Sequence, residues 1–159
     1  MERLSAANTQ FSLNLFKKIS GGNTSKNVFY SPISITSALA MVLLGAKGNT
    51  AAQMFKVISH MSPHVKEDQI HSSFNKLMSE LKKPGAPYVL SLANRLYGEQ
   101  SYQFVEKFIN DTKRYYEAKL EEVDFKKKSE AARVDINKWV EKKTQVQTNA
   151  QSGQHTFVL

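Results

Sequence analysis

The stretch NVFYSPISITSALAMVLLGAKGN, residues 27–49, decides the fold of this chain. Its first four residues, 27–30, are typical of a short apolar strand. Ser31-Pro32 then predicts a helix start, because serine caps helices and proline fits the first helical position without losing a hydrogen bond. The helix predicted from Ile33 to about Leu44 is apolar on nearly every side. Such a helix has to be surrounded by other elements, so the stretch predicts a central, covered helix.

Periodic apolar patterns on both sides of this stretch predict the elements that surround it. Apolar residues at three- and four-residue steps indicate amphipathic helices, and apolar residues on both faces of an extended segment indicate a covered strand. The predicted elements are a helix from Leu4 to Ile19, the strand 27–30, the central helix, a third helix through Ile58, a loop at 60–68, a fourth helix from Ile70 to Leu81, a strand from Tyr88 to Gly98, a fifth helix from Phe104 to Tyr116, a strand from Ala118 to Phe125 and a last helix from Ser129 to Thr144. From Gln145 to Leu159 the chain is polar and aperiodic, which predicts disorder.

The composition fits a globular protein and argues against a membrane or secreted protein. Hydrophobic residues make up 41% and charged residues 23% of the 159 residues, as in ordinary globular chains. No run approaches the ~20 apolar residues that cross a bilayer. The first five residues lack the pattern of a secretory signal, and cysteine is absent. We therefore expect a cytoplasmic protein with no disulfides, no thiolate chemistry and no membrane association.

The net charge of +8 raises the question of nucleic-acid binding. Nucleic-acid sites gather cations on one face and often add aromatic residues that stack on bases. Here the lysines form scattered pairs and one triple, 126–128, and acidic residues at 121–124 and at Glu141 stand beside them. The pattern favours solvated lysine faces and a weak affinity for polyanions in general, with no specific nucleic-acid partner.

No residue pattern predicts catalysis or a metal site. His60 and His64 have a spacing that helical metal ligands use, but Pro63 lies between them and no acidic third ligand is well placed. The chain has no Gly-x-Ser-x-Gly turn for a serine nucleophile and no glycine loop that would bind phosphate. Glu121-Glu122 reads as surface charge beside lysines. We expect no enzyme activity, no metal and no cofactor.

Five strings resemble the serpin family. NVFYSPISITSALAM (27–41) is similar to the serpin strand and central helix, and LGAKGNTAAQM (44–54) to the connection that follows. LANRLYGE (92–99) resembles a strand of sheet A, the main serpin sheet. VDF (123–125) with INKWV (136–140) resembles the strand and helix that lie over that sheet. The strings occur in the family's order, and a start directly in the first helix resembles the ovalbumin-type, or clade B, group of intracellular serpins.

The resemblance implies an α+β fold, specifically the N-terminal part of the serpin fold with about six helices and a few strands of incomplete sheets. It covers residues 1–144, which we expect to be a truncated serpin domain, whereas 145–159 is expected to be a disordered tail outside the family. A splice form or a premature stop would both give such a chain. Members of this group are cytoplasmic, and some are also found outside cells.

The family traps serine or cysteine proteases through a reactive loop near its C-terminal end, which is cut and then inserts into sheet A. This sequence contains neither that loop nor most strands of the sheet. We therefore expect a member of the protease-inhibitor family that does not inhibit by itself.

The resemblance also implies roles for four residues. Ser31 and Ser34 match serines of the shutter region, where the sheet opens, although a helix cap and a small packing residue are the simpler interpretation. Asn137 and Trp139 match the helix that overlies the sheet, where Trp139 is expected to serve in packing.

The alternative function is a protein-binding module that acts through an exposed apolar or basic surface. An apolar helix without its full cover forgoes burial worth about 1.5–3 kcal/mol for each large side chain. We therefore expect the chain either to fold incompletely or to expose an apolar surface that contacts chaperones or other copies of itself.

Overall fold

A computed structural model describes residues 2–21, 27–59, 67–85, 87 and 94–144. The chain divides into two compact units, residues 1–83 and residues 84–159. The first unit contains α1 (Glu2–Ser20), α2 (Pro32–Gly45), α3 (Gly48–Ser59) and α4 (Glu67–Leu81). The second contains β1 (Arg95–Glu99), α5 (Glu106–Tyr116), β2 (Lys119–Val123) and α6 (Ser129–Thr144). Six helices and two strands therefore make up the described part of an α+β fold.

The core of the first unit forms where α1, α2, α3 and α4 pack on one another. The apolar stripe predicted for α1 turns Leu4 and Ala7 inward, where each is 3% exposed. Ile70 and Phe74 of α4 are completely buried, as their spacing of four residues predicts for one helix face. α4 begins at Glu67 and so includes the last two residues of the loop predicted at 60–68, whereas residues 60–66 lie outside the described residues.

Within the described part of the chain, α2 is buried along one side. Thr36, Ser37, Ala40 and Met41 are buried, and they share a side of the helix because helical neighbours lie three and four residues apart. On the opposite side, Val42 is 55% exposed. The prediction that other elements surround this helix therefore holds for one side among the described residues. The other side is apolar and partly exposed to solvent.

The prediction of a strand at 27–30 is wrong. These residues are in extended, irregular conformation without a ladder partner, and Phe29 is fully exposed. A strand exists only through hydrogen bonds to another strand, and the one ladder within the described residues joins β1 to β2. An apolar local pattern is therefore not sufficient for a strand at this position.

β1 and β2 form a parallel pair in which Arg95 lies opposite Lys119 and Glu99 opposite Val123. Two parallel strands need a crossover connection, and α5 provides it. α5 ends at Glu117, which adopts the left-handed conformation (φ 54°) and returns its backbone N–H to the last turn of the helix. The two strands and α6 lie at the predicted places. The predicted strand residues 88–93 and the predicted tail 145–159 lie outside the described residues.

Candidate functional site: the Ser31–Ser34 turn and the contact of α6 with β1

Ser31 caps the N-terminus of α2. Its backbone is extended (φ −111°, ψ 103°), and its hydroxyl accepts a hydrogen bond from the Ser34 backbone N–H at 3.4 Å. Pro32 occupies the first helical position. The hydroxyl oxygens of Ser31 and Ser34 are 2.8 Å apart and hydrogen bonded. Sequence reasoning paired these two serines, and the structure brings them together in capping geometry.

Side-chain hydrogen bonds fasten the start of α2 to α1. Thr36 is buried and its hydroxyl donates to the Asn8 side-chain oxygen at 2.8 Å. Just before the cap, the Tyr30 hydroxyl donates to the Ser12 carbonyl at 2.8 Å. The Ser31–Ser34 turn is consequently anchored on both sides, which is what a rigid packing element requires. The sequence analysis did not single out Asn8 or Thr36, because nothing in the local pattern indicates a partner so far along the chain.

In the second unit, Trp139 joins α6 to β1. The Arg95 guanidinium carbon lies 4.5 Å from the centre of the Trp139 ring, within the range of a cation–π contact. Tyr97 meets Trp139 edge to face, with ring centres 6.4 Å apart and an interplanar angle of 78°. The same guanidinium forms an ion pair with Glu121 of β2 at 3.3 Å. One arginine therefore links the helix to both strands.

The polar atoms of this aromatic cluster are buried. Neither the Tyr97 hydroxyl nor Trp139 Nε1 makes a well-formed hydrogen bond with the described residues. Burial raises the pKa of Tyr97, and the nearby Arg95 guanidinium offsets part of that rise. A raised pKa favours the neutral phenol over the phenolate at this position. Asn137, which the resemblance paired with Trp139, is partly buried on the same helix.

Sequence reasoning missed Arg95 and Tyr97 as partners of Trp139. The sequence does contain a signal for Arg95 and Tyr97. Residues two apart on a strand point to the same face, so Arg95, Tyr97 and Glu99 form one row. The resemblance implied that α6 overlies the sheet, but nothing in the sequence pattern indicates that the face with Arg95 and Tyr97 is the one that it covers. The two predicted pairs, Ser31 with Ser34 and Asn137 with Trp139, belong to different units.

Glu99, the third residue of that row, holds the turn after β2. Its carboxylate accepts hydrogen bonds from the backbone N–H groups of Ser101 (3.2 Å), Phe125 (2.8 Å) and Lys126 (3.2 Å). Slight desolvation raises the pKa of Glu99, but the donors at Ser101, Phe125 and Lys126 together outweigh it and hold that pKa below its ordinary value. The turn 124–128 that leads into α6 is thereby tied to the end of β1.

No group of three or more histidine, cysteine or acidic side chains among the described residues could hold a metal ion. Within the same residues, no helix combines the length and the apolar character needed to cross a membrane. His60 and His64, which the sequence analysis weighed as metal ligands, lie outside the described residues.

Comparisons with known proteins agree on one family. The family model for serpins (serine protease inhibitors) matches residues 6–151. The chain is 50% identical to cattle leukocyte elastase inhibitor over 144 residues, which is 91% of this chain and 37% of the relative. It is 48% identical over 145 residues both to human leukocyte elastase inhibitor, covering 91% of this chain and 37% of that protein, and to cattle serpin B6, covering 91% and 38%.

A solved structure gives the same answer at the level of the fold. Emu ovalbumin matches with a TM-score of 0.82 and 37% identity, over 94% of this chain and 42% of that one. The chain thus spans well under half the length of the relatives it matches, and the part it spans is their N-terminal part. The leukocyte elastase inhibitors and serpin B6 that it matches are ovalbumin-type, clade B serpins. On this evidence the chain belongs to the serpin family.

Proposed function

We propose that residues 1–144 are the N-terminal portion of a serpin protease-inhibitor domain, and that the 159-residue polypeptide by itself does not trap a protease. One observation carries the proposal. The chain matches leukocyte elastase inhibitors at about half identity while spanning only 37% of their length. An inhibitory activity that belongs to such relatives as whole proteins needs the remaining part as well.

The physical reason lies in what the family's mechanism requires. A serpin presents a reactive loop to the protease and then takes the cut loop into its main sheet as a new strand. Within the described residues the sheet has two strands, β1 and β2. A two-stranded sheet is marginal in water even without added strain. The described part therefore supports a scaffold role, in which α6 covers one end of a sheet that further strands would extend.

The four residues assigned by resemblance receive roles within this scaffold. We propose that Ser31 and Ser34 correspond to the shutter serines of the family, with their hydroxyl pair as the rigid start of α2. Asn137 and Trp139 belong to the overlying helix, and the stacking of Arg95 on Trp139 supports a packing role for that residue. The proposed location is the cytoplasm, and the chain is not proposed to be an enzyme or to bind a cofactor.

A gel assay tests the proposal. The purified 159-residue polypeptide is incubated with leukocyte elastase, and in separate arms with a chymotrypsin-type and a cathepsin-type protease, and the mixtures are denatured before electrophoresis. Human leukocyte elastase inhibitor serves as the positive control. We expect no denaturation-resistant adduct with the short chain and full retention of protease activity. A covalent complex of the short chain with any of the three proteases would refute the proposal.

The second candidate function is a protein-binding module. The observation that favours it is the exposed apolar side of α2, where Val42 is 55% exposed. Apolar surface gathered on one side of an element is typical of interaction sites.

A further inference from the structure

Lys126-Lys127-Lys128 directly precedes Ser129, and the scaffold role proposed above gives this run no task. All four residues are exposed. The lysines lie in the turn between β2 and α6, and Ser129 is the first residue of α6. Basic residues two and three positions before a serine are the charge pattern that basophilic serine/threonine kinases read in their substrates. Residues 126–129, which we call the lysine–serine segment, therefore have the sequence of a kinase substrate.

The same charge pattern precedes Ser20, and the structure distinguishes the two serines. Lys17 and Lys18 stand three and two residues before Ser20. Ser20 is partly buried at the C-terminal end of α1, and its hydroxyl donates to the Phe16 carbonyl at 2.6 Å. A phosphate there would face the negative pole of the helix dipole, whereas a phosphate at the start of a helix faces the positive pole. Exposure and the helix dipole therefore both favour Ser129.

Arg133 adds a cation on the helical side of Ser129. It lies four residues further along α6, which is the spacing of neighbouring side chains on one helix face. Its Nε donates to the carboxylate of Glu130 at 3.0 Å. This ion pair offsets the negative charge that directly follows Ser129 and that would oppose a kinase reading positive charge. A phosphate on Ser129 would have lysines before it and a guanidinium one turn after it, both of opposite charge.

The internal contacts of the lysine–serine segment are exposed. Lys126 Nζ donates to the Ser101 hydroxyl at 2.8 Å and lies 4.7 Å from the centre of the Tyr102 ring. The Lys126 backbone N–H donates to the Glu99 carboxylate at 3.2 Å. A kinase binds its substrate as an extended chain, so these contacts have to open first. Exposed turns and helix ends open at a low cost in free energy, so local opening gives a kinase access to the segment.

A general site for polyanions is the rival interpretation of the three lysines. The unit that carries them, residues 84–159, has twelve lysines and arginines against ten acidic residues, a net charge of +2. Nucleic-acid binding needs a broad basic surface, and a nearly neutral unit is poorly suited to supply one. A kinase reads only a few residues on each side of the serine, so a short local run of lysines favours the kinase.

We propose that Ser129 is a phosphorylation site of a basophilic serine/threonine kinase. The Ser129 hydroxyl oxygen forms a bond to the γ-phosphorus of ATP, and the bond from that phosphorus to the β,γ-bridging oxygen breaks. ADP leaves with the electron pair, and the hydroxyl proton passes to a carboxylate base of the kinase. The product carries a charge of about −1.5 to −2 at the start of α6. This proposal is independent of the proposed lack of protease inhibition.

Kinase assays on the purified 159-residue chain test the proposal. The chain is incubated with Mg²⁺, ATP and the catalytic domain of protein kinase A, and in a separate arm with that of protein kinase C. Mass spectrometry locates the phosphate and gives the initial rate of its incorporation at each serine. We expect Ser129 to be modified at least about tenfold faster than Ser20, because exposure and the helix dipole both favour it.

Two double variants with the same change in charge show whether the lysines are read. Lys126→Gln/Lys127→Gln alters the lysine–serine segment, and Lys142→Gln/Lys143→Gln alters the exposed pair at the other end of α6. The first is expected to lower kcat/KM of the kinase for the chain at least about tenfold through lost charge complementarity. The second is expected to change it less than about twofold. Ser129→Ala removes the acceptor, and unchanged helical circular dichroism shows that the variants fold.

Any of three results would overturn the proposal. The first is the absence of phosphate from Ser129 with both kinases. The second is modification of Ser20 as fast as that of Ser129, which would mean that their different placement in the fold does not matter. The third is an equal loss of rate in the two double variants, which would mean that the kinase responds to net charge and does not read the lysine–serine segment.

Discussion

Gly98 shows how closely the second unit is packed. A side-chain carbon at this position would lie 2.5 Å from Cε2 and Cζ of Phe104 and 3.1 Å from Cδ1 of Leu120. Real side-chain carbons essentially never come so close to another atom, so the Phe104 ring would have to shift. Glycine is therefore required because the ring approaches the strand backbone, and the backbone angles of Gly98 are not the reason.

We predict that Gly98→Ala lowers the free energy of unfolding by about 1–3 kcal/mol, the usual cost of overpacking. Urea unfolding followed by tryptophan fluorescence measures it, because Trp139 lies in the same unit. Phe104→Leu in the Gly98→Ala background provides the control, since removing ring atoms relieves the overlap and makes the two changes less than additive. Equal or greater stability of Gly98→Ala would contradict this packing.

Glu99 gives a pH-dependent prediction. Its pKa is lower in the folded chain than the ordinary value of 4.5, so its contribution to stability is present above that value and is lost as pH falls through the folded pKa. Glu99→Gln removes the charge that the three backbone donors share. We expect the variant to be less stable than the parent at pH 6–7, and the difference to shrink as the pH falls below 4.5 through the folded pKa of Glu99. A difference that stays constant from pH 7 to pH 3 would exclude a charged carboxylate in this role.

At the scale of single elements, α2 depends on its cap. Ser31 supplies one acceptor for the free N–H groups of the first turn, and its bond to Ser34 is long at 3.4 Å. We predict that Ser31→Ala lowers the free energy of unfolding of the first unit by about 0.5–1 kcal/mol, and that Ser31→Asn retains most of it because asparagine caps as well as serine. Thermal unfolding followed by circular dichroism measures both variants. Equal losses for the two would mean that capping is not what Ser31 contributes.

α6 is held on β1 by the stacking of Arg95 on Trp139. A double-mutant cycle with Arg95→Met and Trp139→Leu isolates this contact from the ion pair of Arg95 with Glu121. We expect a coupling energy of about 0.5–2 kcal/mol, as for a partly desolvated cation–π pair, since the Arg95 side chain is 24% exposed. Arg95→Met with Glu121→Gln is the matched second cycle. A coupling near zero in the first cycle would place the attachment of α6 elsewhere.

The elements that follow from local pattern were predictable from the sequence. Ser31-Pro32 predicted the start of α2 because a cap involves only neighbouring residues, and the apolar stripe of α4 predicted Ile70 and Phe74 as core. Residues 27–30 were predicted wrongly, since a strand depends on a partner that the local pattern does not encode. The contact of Arg95 with Trp139 was missed for a related reason, because the choice of which face α6 covers is a tertiary one.

At the scale of the whole molecule, the cover predicted for α2 and the cover observed for it differ. The sequence demands a helix covered on all sides, and the described residues cover half of it. Family membership resolves the difference, because the matched relatives are much longer than this chain. The partly exposed apolar side of α2 fits the proposal that this chain is the N-terminal portion of a larger serpin domain.

Hydroxyl-radical footprinting of α2, read residue by residue in the 159-residue chain, tests this claim most directly. Met41 is 4% exposed and Val42, its neighbour, 55% exposed, although a methionine sulfur is by far the easier group to oxidise. The account predicts that Met41 is protected relative to the urea-unfolded chain and that Val42 is labelled nearly as fast as in the unfolded chain. Met41 oxidised at the unfolded rate, or Val42 protected as well as Met41, would contradict it.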